Sequence, residues 1–236
     1  MCTFENFYCD AENRSFITSI KNILGSNYEK NPLILKGKTG IGKTHLLHGV
    51  QNELLRQNKD LKVIYVYAKD FMEEYLDFIN NEKLCIFNQK YRNLDGLIVD
   101  NFEYFADRKA FQKELFYTLV SLLEKRIFVG IAITTPCNIR KKFIDELLSI
   151  FNHAVSINVP EPGSEAKHLL ILSILAKNNC YFADDIINYL SNNNYDIPQL
   201  IGKMNKLLLI KDCMNKGFVK ISKDEIENII GEEKNE

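Results

Sequence analysis

Short apolar runs of strand length alternate along the chain with longer segments in which apolar residues recur every three or four positions. The first pattern is typical of buried β-strands and the second of amphipathic helices. Strands that alternate with helices predict an α/β fold, a parallel sheet with helices on both faces that binds ligands at the carboxyl ends of its strands. The predicted strands cover residues 32–35, 62–67, 96–100, 127–133 and 154–159.

A segment rich in proline and glycine separates the alternating strands and helices from a C-terminal part that is predicted to be helical. Pro160-Glu161-Pro162-Gly163 follows the fifth predicted strand, and such a segment indicates a domain boundary. We therefore expect a base domain over residues 1–160 and a small α-helical lid domain over residues 161–236. The predicted helices cover 15–24, 45–55, 70–91 and 108–125 in the first domain, and 164–177, 184–192, 197–215 and 222–230 in the second.

Composition narrows the class of protein. The chain of 236 residues, 46% of them hydrophobic, is long enough for one α/β domain with a small appended domain. No apolar stretch approaches the ~18 residues of a membrane span, and the first residues lack the pattern of a signal peptide. We expect a cytoplasmic protein without membrane contact, whose six scattered cysteines are free thiols. Its 30 basic and 31 acidic residues leave a net charge of −1, so any contact with DNA must be local.

Candidate chemistry begins where the first strand meets the following helix. Residues 37–44 read Gly-Lys-Thr-Gly-Ile-Gly-Lys-Thr, which is the P-loop pattern in its strand, loop and helix setting. Glycines let successive N–H groups face a phosphate, and the helix N-terminus adds partial positive charge. A glycine-rich turn without a ligand would need neither the lysine nor the threonine. The predicted nucleotide-binding residues are Gly37, Lys38, Thr39, Gly40, Ile41, Gly42, Lys43, Thr44 and His45.

Polar residues at the ends of two later strands extend this candidate site. Asp100 ends the third strand, where a lone acid would usually cap a helix, but the P-loop favours a site in which Thr44 and Asp100 hold Mg²⁺. Asn101 stands where hydrolysing relatives of this architecture carry a second acid, and an amide orients a water without accepting its proton. Thr134 ends the fourth strand and is predicted to face the γ-phosphate. Asn101 and Thr134 are thus the candidate catalytic residues.

Several segments resemble a known family in their order and spacing. They are Phe4-Glu5-Asn6-Phe7, Asn13-Arg14, Asn31-Pro32-Leu33, Gly40-Ile41-Gly42-Lys43-Thr44-His45-Leu46-Leu47, Phe87-Asn88-Gln89-Lys90-Tyr91-Arg92 and Leu97-Ile98-Val99-Asp100-Asn101. Over about residues 3–230 the chain resembles the AAA+ module of the bacterial DnaA family. The resemblance implies a P-loop NTPase that binds ATP or ADP with Mg²⁺. Within that family, Asp100-Asn101-Phe102-Glu103 is similar to the Asp-Asn-x-Glu of Hda, the short DnaA paralogue that restrains initiation.

The chain also departs from the family at residues that sense nucleotide. Ile150 stands where the family carries its arginine finger, and Pro198 stands where the lid carries its sensor-2 arginine. Because neither side chain is charged, the comparison implies that hydrolysis is weak or absent. It also implies weak coupling between the bound nucleotide and the lid.

Family contacts with DNA and with the sliding clamp are expected to be reduced. Of two basic residues that bind single-stranded DNA in the family, Arg108 is present and Ala110 replaces the other. The chain stops after the lid, so we expect no sequence-specific DNA reader. Hda binds the sliding clamp through a Gln-Leu-x-Leu motif near its N-terminus, and no such motif precedes Phe4. We interpret the faint echo in Gln112-Lys113-Glu114-Leu115-Phe116 as coincidence, since it lies within a predicted helix.

The leading hypothesis is an ATP- or ADP-binding regulator of replication initiation, of Hda type, that contacts the initiator DnaA. The sliding clamp and a second copy of the chain remain open as partners. One alternative is a working ATPase of the helicase-loader kind, in which Glu103 or a partner's arginine supplies the missing groups. Another is a scaffold whose pocket is vestigial. A small-molecule kinase is disfavoured, because no acceptor-binding insert is evident.

Overall fold

The computed structural model of the protein describes residues 2–11, 14–26 and 31–213. Within these residues, the strands are β1 (Leu33–Gly37), β2 (Val63–Tyr67), β3 (Gly96–Asp100), β4 (Phe128–Thr134) and β5 (Val155–Asn158). All of their pairings are parallel, and they form one sheet in the order β2-β3-β4-β1-β5. The ends of β1, β3 and β4 therefore lie side by side at one edge of the sheet, where the candidate residues converge.

Helices connect the strands and continue after the last of them. None of the helices that the structure describes has the length and apolar character needed to cross a bilayer. They are α1 (Ser15–Leu24), α2 (Lys43–Gln57), α3 (Ala68–Asn80), α4 (Leu84–Arg92), α5 (Lys109–Glu124), α6 (Ile139–Lys142), α7 (Asp145–His153), α8 (Ser164–Lys177), α9 (Asp184–Asn192) and α10 (Ile197–Cys213), with a 3₁₀ helix at Phe102–Phe105.

The sheet is covered on both faces. Successive residues of a strand point to opposite faces, so Leu97 and Gly96 of β3 face different layers. Leu97 belongs to a buried cluster with residues of α3, α4, α5 and α7, such as Phe87 and Leu115. On the other face, Leu54 of α2 approaches the position where a Cβ of Gly96 would lie. The predicted α/β fold with five parallel strands is thus confirmed, with strand ends shifted by one or two residues.

The single helix predicted over residues 70–91 is wrong, because the chain ends one helix and starts another there. Glu82, between α3 and α4, adopts φ 58°, in the left-handed region. Its N–H donates to the Ile79 carbonyl (2.9 Å), and the Lys83 N–H donates to the Phe78 carbonyl (2.8 Å). A left-handed residue with these two bonds closes a helix in the manner usual for glycine or asparagine. Apolar periodicity continued across the break and concealed it.

Three short elements were not predicted from the sequence. The 3₁₀ helix follows β3, and α6 and α7 lie between β4 and β5. The 3₁₀ helix and α6, with four residues each, are too short for a clear periodic signal, although Asn138 caps α6 by accepting a hydrogen bond from the Lys141 N–H. The helix predicted over 222–230 lies outside the described residues.

The chain divides into two compact units. Of the described residues, one unit contains 2–7, 14–26 and 31–160, and the other contains 8–11 and 161–213. In the second unit, Asp10 caps α8, since its carboxylate accepts hydrogen bonds from the N–H groups of Gly163 (2.6 Å) and Ala166 (3.2 Å). The first N–H groups of a helix have no partner within it, so this acid supplies one. The core of the second unit is formed by α8, α9 and α10 and includes Ile171, Leu175, Ile186, Leu190, Leu200, Met204 and Leu207.

Replacing Asp10 with alanine is expected to loosen the start of α8. Loss of an N-capping side chain costs about 0.5–2 kcal/mol, which corresponds to a roughly 2- to 30-fold rise in local opening. Hydrogen exchange of the α8 amides measures that rise. Asp60→Ala, which truncates an exposed acid in the turn after α2, is the control and is expected to leave α8 exchange unchanged. Equal exchange in Asp10→Ala and the unmodified protein would contradict the capping role.

Candidate functional site

The candidate phosphate loop joins β1 to α2. Gly40 and Gly42 adopt φ 80° and 98°, which is the left-handed region where glycine is favoured. At Gly42 there is a second constraint, because an added Cβ would lie 2.6 Å from the ring of Phe7. The backbone therefore curls directly before the N-terminus of α2, whose first N–H groups have no helical acceptor.

Lys43 is the first residue of α2 and the one buried lysine or arginine among the residues whose burial the structure describes. Its side chain is 6% exposed. The Nζ donates hydrogen bonds to the carbonyl oxygens of Gly37 (2.9 Å) and Lys38 (2.7 Å), so the ammonium spans the mouth of the loop. Burial lowers the pKa of Lys43 below its ordinary value, and the charges of Glu103 and Asp100 oppose this shift.

Asp100, at the end of β3, is a carboxylate with 1% exposure. Its Oδ2 accepts hydrogen bonds from the Thr44 hydroxyl (2.6 Å) and the Tyr65 hydroxyl (2.7 Å). Its Oδ1 accepts one from the N–H of Asn101 (2.8 Å). The structure therefore brings Thr44 and Asp100 together. All three donors are neutral, and the Thr44 oxygen keeps its lone pairs while it donates its proton.

Three further polar residues, Asn101, Glu103 and Thr134, lie at or after the ends of β3 and β4, and their contacts differ. Asn101 is exposed and adopts φ 55°, ψ 43°, so the chain turns sharply after Asp100. Glu103, in the 3₁₀ helix, reaches across to β4, where its Oε2 accepts a hydrogen bond from the Thr134 N–H (3.0 Å). Thr134 is thus tied to the site through its backbone. The catalytic roles assigned to Asn101 and Thr134 stay predictions.

These groups fit a polyphosphate with its magnesium ion. The Lys43 ammonium and the N-terminus of α2 supply positive charge beside a loop whose glycines allow close approach. Asp100 and Thr44 supply two oxygen ligands, and Mg²⁺ at phosphate sites takes few protein oxygens. The hydrogen-bond donors of the buried Asp100 carboxylate are all neutral, and such a carboxylate favours cations nearby, such as the Lys43 ammonium and a bound ion.

The segment before α1 packs against the start of α2. The Phe7 ring lies 5.6 Å from the His45 ring and 5.8 Å from the Phe16 ring. The His45 Nε2 lies 2.8 Å from Asn6 Oδ1 and 3.0 Å from the Thr3 carbonyl. His45 is therefore a residue that joins the N-terminal segment to the loop region. Its predicted contact with nucleotide stays a prediction.

The structure also describes three positions at which the sequence was compared with the family, namely Ile150, Pro198 and Arg108. Ile150 lies on α7, is 9% exposed and belongs to the core cluster that also contains Leu147. Pro198 is exposed in the first turn of α10. The Arg108 guanidinium lies 4.1 Å from the centre of the Tyr104 ring, and Arg108 also donates to the Tyr104 carbonyl.

Gln112, in the sequence that faintly resembles a clamp-binding motif, is fully buried. Its side-chain amide donates to the carbonyls of Phe105 (2.7 Å) and Lys142 (3.0 Å) and accepts from the Ile144 N–H (2.9 Å). Leu115, in the same segment, has no exposed surface. These residues hold α5 to neighbouring segments and are not presented to a partner.

The sequence did not point to Tyr65, which shares the Asp100 carboxylate with Thr44. Tyr65 lies in β2, beside β3, and the sequence pattern identifies it only as part of a predicted strand. Burial, together with the hydrogen bond to Asp100, raises the pKa of Tyr65, so the phenol remains a protonated donor. An aromatic residue with a polar tip, next to the strand that ends in Asp100, is the signal that could have identified it.

Comparisons with known proteins place these features in a family. The sequence model of the bacterial DnaA ATPase domain matches residues 1–158. The chain is 29% identical over 229 residues to the chromosomal replication initiator protein DnaA of Helicobacter hepaticus, which covers 96% of this chain and 50% of that protein. The chain thus spans about half the length of the curated relatives it matches.

Solved structures give the same relationship. Domain III of the Thermotoga maritima replication initiation protein DnaA matches with a TM-score of 0.86 and 25% identity, covering 97% of this chain and 95% of that one. A replication initiator DnaA bound to AMPPCP and single-stranded DNA matches with a TM-score of 0.77 and 26% identity, covering 92% of this chain and 66% of that one. The fold is that of DnaA domain III, an AAA+ fold.

Proposed function

Because this chain belongs to the bacterial DnaA ATPase domain family, we propose that it is a nucleotide-binding regulator of chromosomal replication initiation, of Hda type. It binds ADP or ATP with Mg²⁺ and acts by contacting the initiator or another protein of the replication machinery. Two lines of support are the polar groups at the carboxyl ends of β1 and β3 and the AMPPCP bound by a DnaA relative.

The observation that carries the nucleotide proposal is the contact of Thr44 with Asp100 beside the buried Lys43. Lys43 and the N–H groups around Gly42 would hold the phosphates, while Thr44 and Asp100 would hold the ion. The ion neutralises phosphate charge when bound. The protein keeps the Lys43 ammonium and the Asp100 carboxylate in fixed positions through the hydrogen bonds that these two groups make.

Binding without rapid hydrolysis is the mode that these side chains favour. Asn101 can hydrogen-bond a water but cannot take its proton at neutral pH. Ile150 is buried and uncharged, so it cannot supply a cation to a neighbouring subunit's nucleotide, a contribution of roughly 10³–10⁵ in rate in nucleotide hydrolases. Nucleotide would then act mainly as a structural ligand.

A pull-down against the host's initiator DnaA and sliding clamp, with and without ADP, tests the regulatory part. We expect the initiator to be retained when ADP and Mg²⁺ are present, and retention to fall for Lys43→Ala. Binding of the clamp alone would redirect the proposal to that partner. Retention of neither protein would contradict a role in contacting the replication machinery.

One observation favours a second function, that of a working ATPase. Glu103 lies in the 3₁₀ helix after Asp100, and its charge acts on Lys43. A carboxylate at this place could take the role that Asn101 cannot. In the structure, the Glu103 carboxylate already accepts a hydrogen bond from the Thr134 N–H. Binding without turnover is therefore the main proposal.

Multiple-turnover phosphate release distinguishes the two functions. We expect the unmodified protein to release phosphate no faster than the Lys43→Ala variant over many equivalents of ATP. Turnover that both Lys43→Ala and Glu103→Gln abolish would establish the ATPase instead. Asp60→Ala, an exposed acid distant in sequence from the site, is the control for loss of a carboxylate.

A further inference from the structure

Tyr65 is held in one orientation beside Asp100 by two elements. Its ring stacks on His48 of α2, with ring centres 4.1 Å apart and planes at 20°. The ring of Tyr67 meets it edge-on at 5.5 Å. The hydroxyl is thereby directed to Asp100 Oδ2, at 2.7 Å.

Helix α2 contacts both Tyr65 and Asp100 through residues that are one helical turn apart. Thr44 and His48 are four positions apart and therefore lie on the same side of the helix. Thr44 donates to Asp100, and His48 stacks on Tyr65. The start of α2, which carries Lys43 as well, is thus linked to the carboxylate directly and also through the phenol.

Three hydrogen bonds fix the rotation of the Asp100 carboxylate. Asn101 holds Oδ1, while Thr44 and Tyr65 share Oδ2. Thr44 is itself a candidate ion ligand, so Tyr65 is the one side-chain donor of these three contacts that lies outside the candidate ligand set. Groups that hydrogen-bond a metal ligand fix its orientation, and their removal usually weakens metal binding.

We propose that Tyr65 is a positioning residue for the magnesium site, which holds the Asp100 carboxylate in the orientation that the nucleotide-bound ion requires. The inference rests on the proposed nucleotide binding at this site and assigns a role to a strand residue that the P-loop pattern does not include. A competing effect is that loss of a donor concentrates charge on the carboxylate, which would favour a cation. We expect weaker Mg²⁺ binding, because removal of a group that hydrogen-bonds a metal ligand typically lowers metal affinity.

Tyr65→Phe tests the role, because it removes the hydroxyl and keeps the ring on His48. The matched control is Tyr91→Phe. Tyr91 is a buried tyrosine whose hydroxyl also donates to a carboxylate, that of Glu74, at the same distance of 2.7 Å. Melting temperature is measured at saturating ADP while Mg²⁺ is titrated, and again with ADP and EDTA.

We expect the Mg²⁺ concentration at half of the magnesium-dependent rise in melting temperature to increase about tenfold in Tyr65→Phe, the lower end of the usual range. The rise in melting temperature that ADP causes in the presence of EDTA should be the same in Tyr65→Phe and in the unmodified protein. Tyr91→Phe should have the same Mg²⁺ midpoint as the unmodified protein. An unchanged or lower Mg²⁺ midpoint in Tyr65→Phe would overturn the role, as would an equal change in Tyr91→Phe. Absence of any ADP-dependent rise in the unmodified protein would instead defeat the proposed nucleotide binding on which the inference depends.

Discussion

Lys43→Ala is expected to lower the affinity for Mg-ADP roughly 10- to 150-fold, because a hydrogen bond to a charged group contributes about 1.5–3 kcal/mol. The ammonium is buried at the mouth of the loop, where it donates to the Gly37 and Lys38 carbonyls. A phosphate would compete for those donors with a stronger, charged acceptor. Thermal shift across a range of ADP concentrations measures the loss, since a ligand that binds only the native state raises its stability.

The control for this change is Lys59→Ala, which removes an exposed lysine from the turn after α2. It is expected to leave the ADP-induced shift as in the unmodified protein. The melting temperature of Lys43→Ala without nucleotide distinguishes loss of nucleotide binding from loss of the folded structure, because only the second lowers it. Equal ADP-induced shifts for Lys43→Ala and the unmodified protein would remove Lys43 from the site.

Phe71→Ala is expected to cause the largest loss of stability, about 3–5 kcal/mol. Phe71 lies on α3 with 1% exposure, and its ring centre lies 4.5 Å from that of Tyr91 and 5.3 Å from that of Phe87. It also meets Phe105 and Phe111 at 6.1 and 5.9 Å. Truncation would leave a cavity among rings from three other elements, α4, the 3₁₀ helix and α5, and this cavity can close only in part.

For a chain of this size, that loss lowers the melting temperature by roughly 6–20 °C. Tyr117→Ala, which truncates a side chain that is 59% exposed on α5, is the control and should change stability by no more than about 0.5 kcal/mol. Denaturant unfolding followed by circular dichroism gives both values. Similar losses for Phe71→Ala and Tyr117→Ala would contradict the role given to the buried ring of Phe71 in stabilising the fold.

The features that the sequence predicted well are those encoded locally. The strands are continuous apolar runs, and α2 follows a loop whose glycines meet a backbone requirement at Gly40 and Gly42. Asp100 could be paired with Thr44 because the carboxyl ends of parallel strands meet at one edge. Each of these inferences needs only a short segment and the rule that joins segments into a parallel sheet.

The features that the sequence did not predict depend on distant partners or on a single backbone angle. Helices α3 and α4 separate because one residue, Glu82, takes a left-handed conformation, although the apolar period runs on. Tyr65 and Asp100 are 35 positions apart, and Asp10 and Gly163 are 153 apart, so no local pattern links them. The role of Glu103 likewise appears only once Thr134 is placed beside it.

The same contacts explain why nucleotide binding and hydrolysis are separated in the proposal. We propose that binding depends on Lys43, Thr44 and Asp100, which the fold brings to one edge of the sheet. Hydrolysis would need a base and a cation at places taken by Asn101 and Ile150. At these positions, the described part of the chain carries the groups proposed for binding and lacks those proposed for hydrolysis.

Calorimetric titration of the full chain with ADP and with ATP, each with Mg²⁺, tests the central claim most directly. The account predicts saturable binding of one nucleotide per chain, with affinities for ADP and ATP within about tenfold of each other, because Pro198 offers no cation to a γ-phosphate. Absence of binding by either nucleotide at millimolar concentration would contradict it.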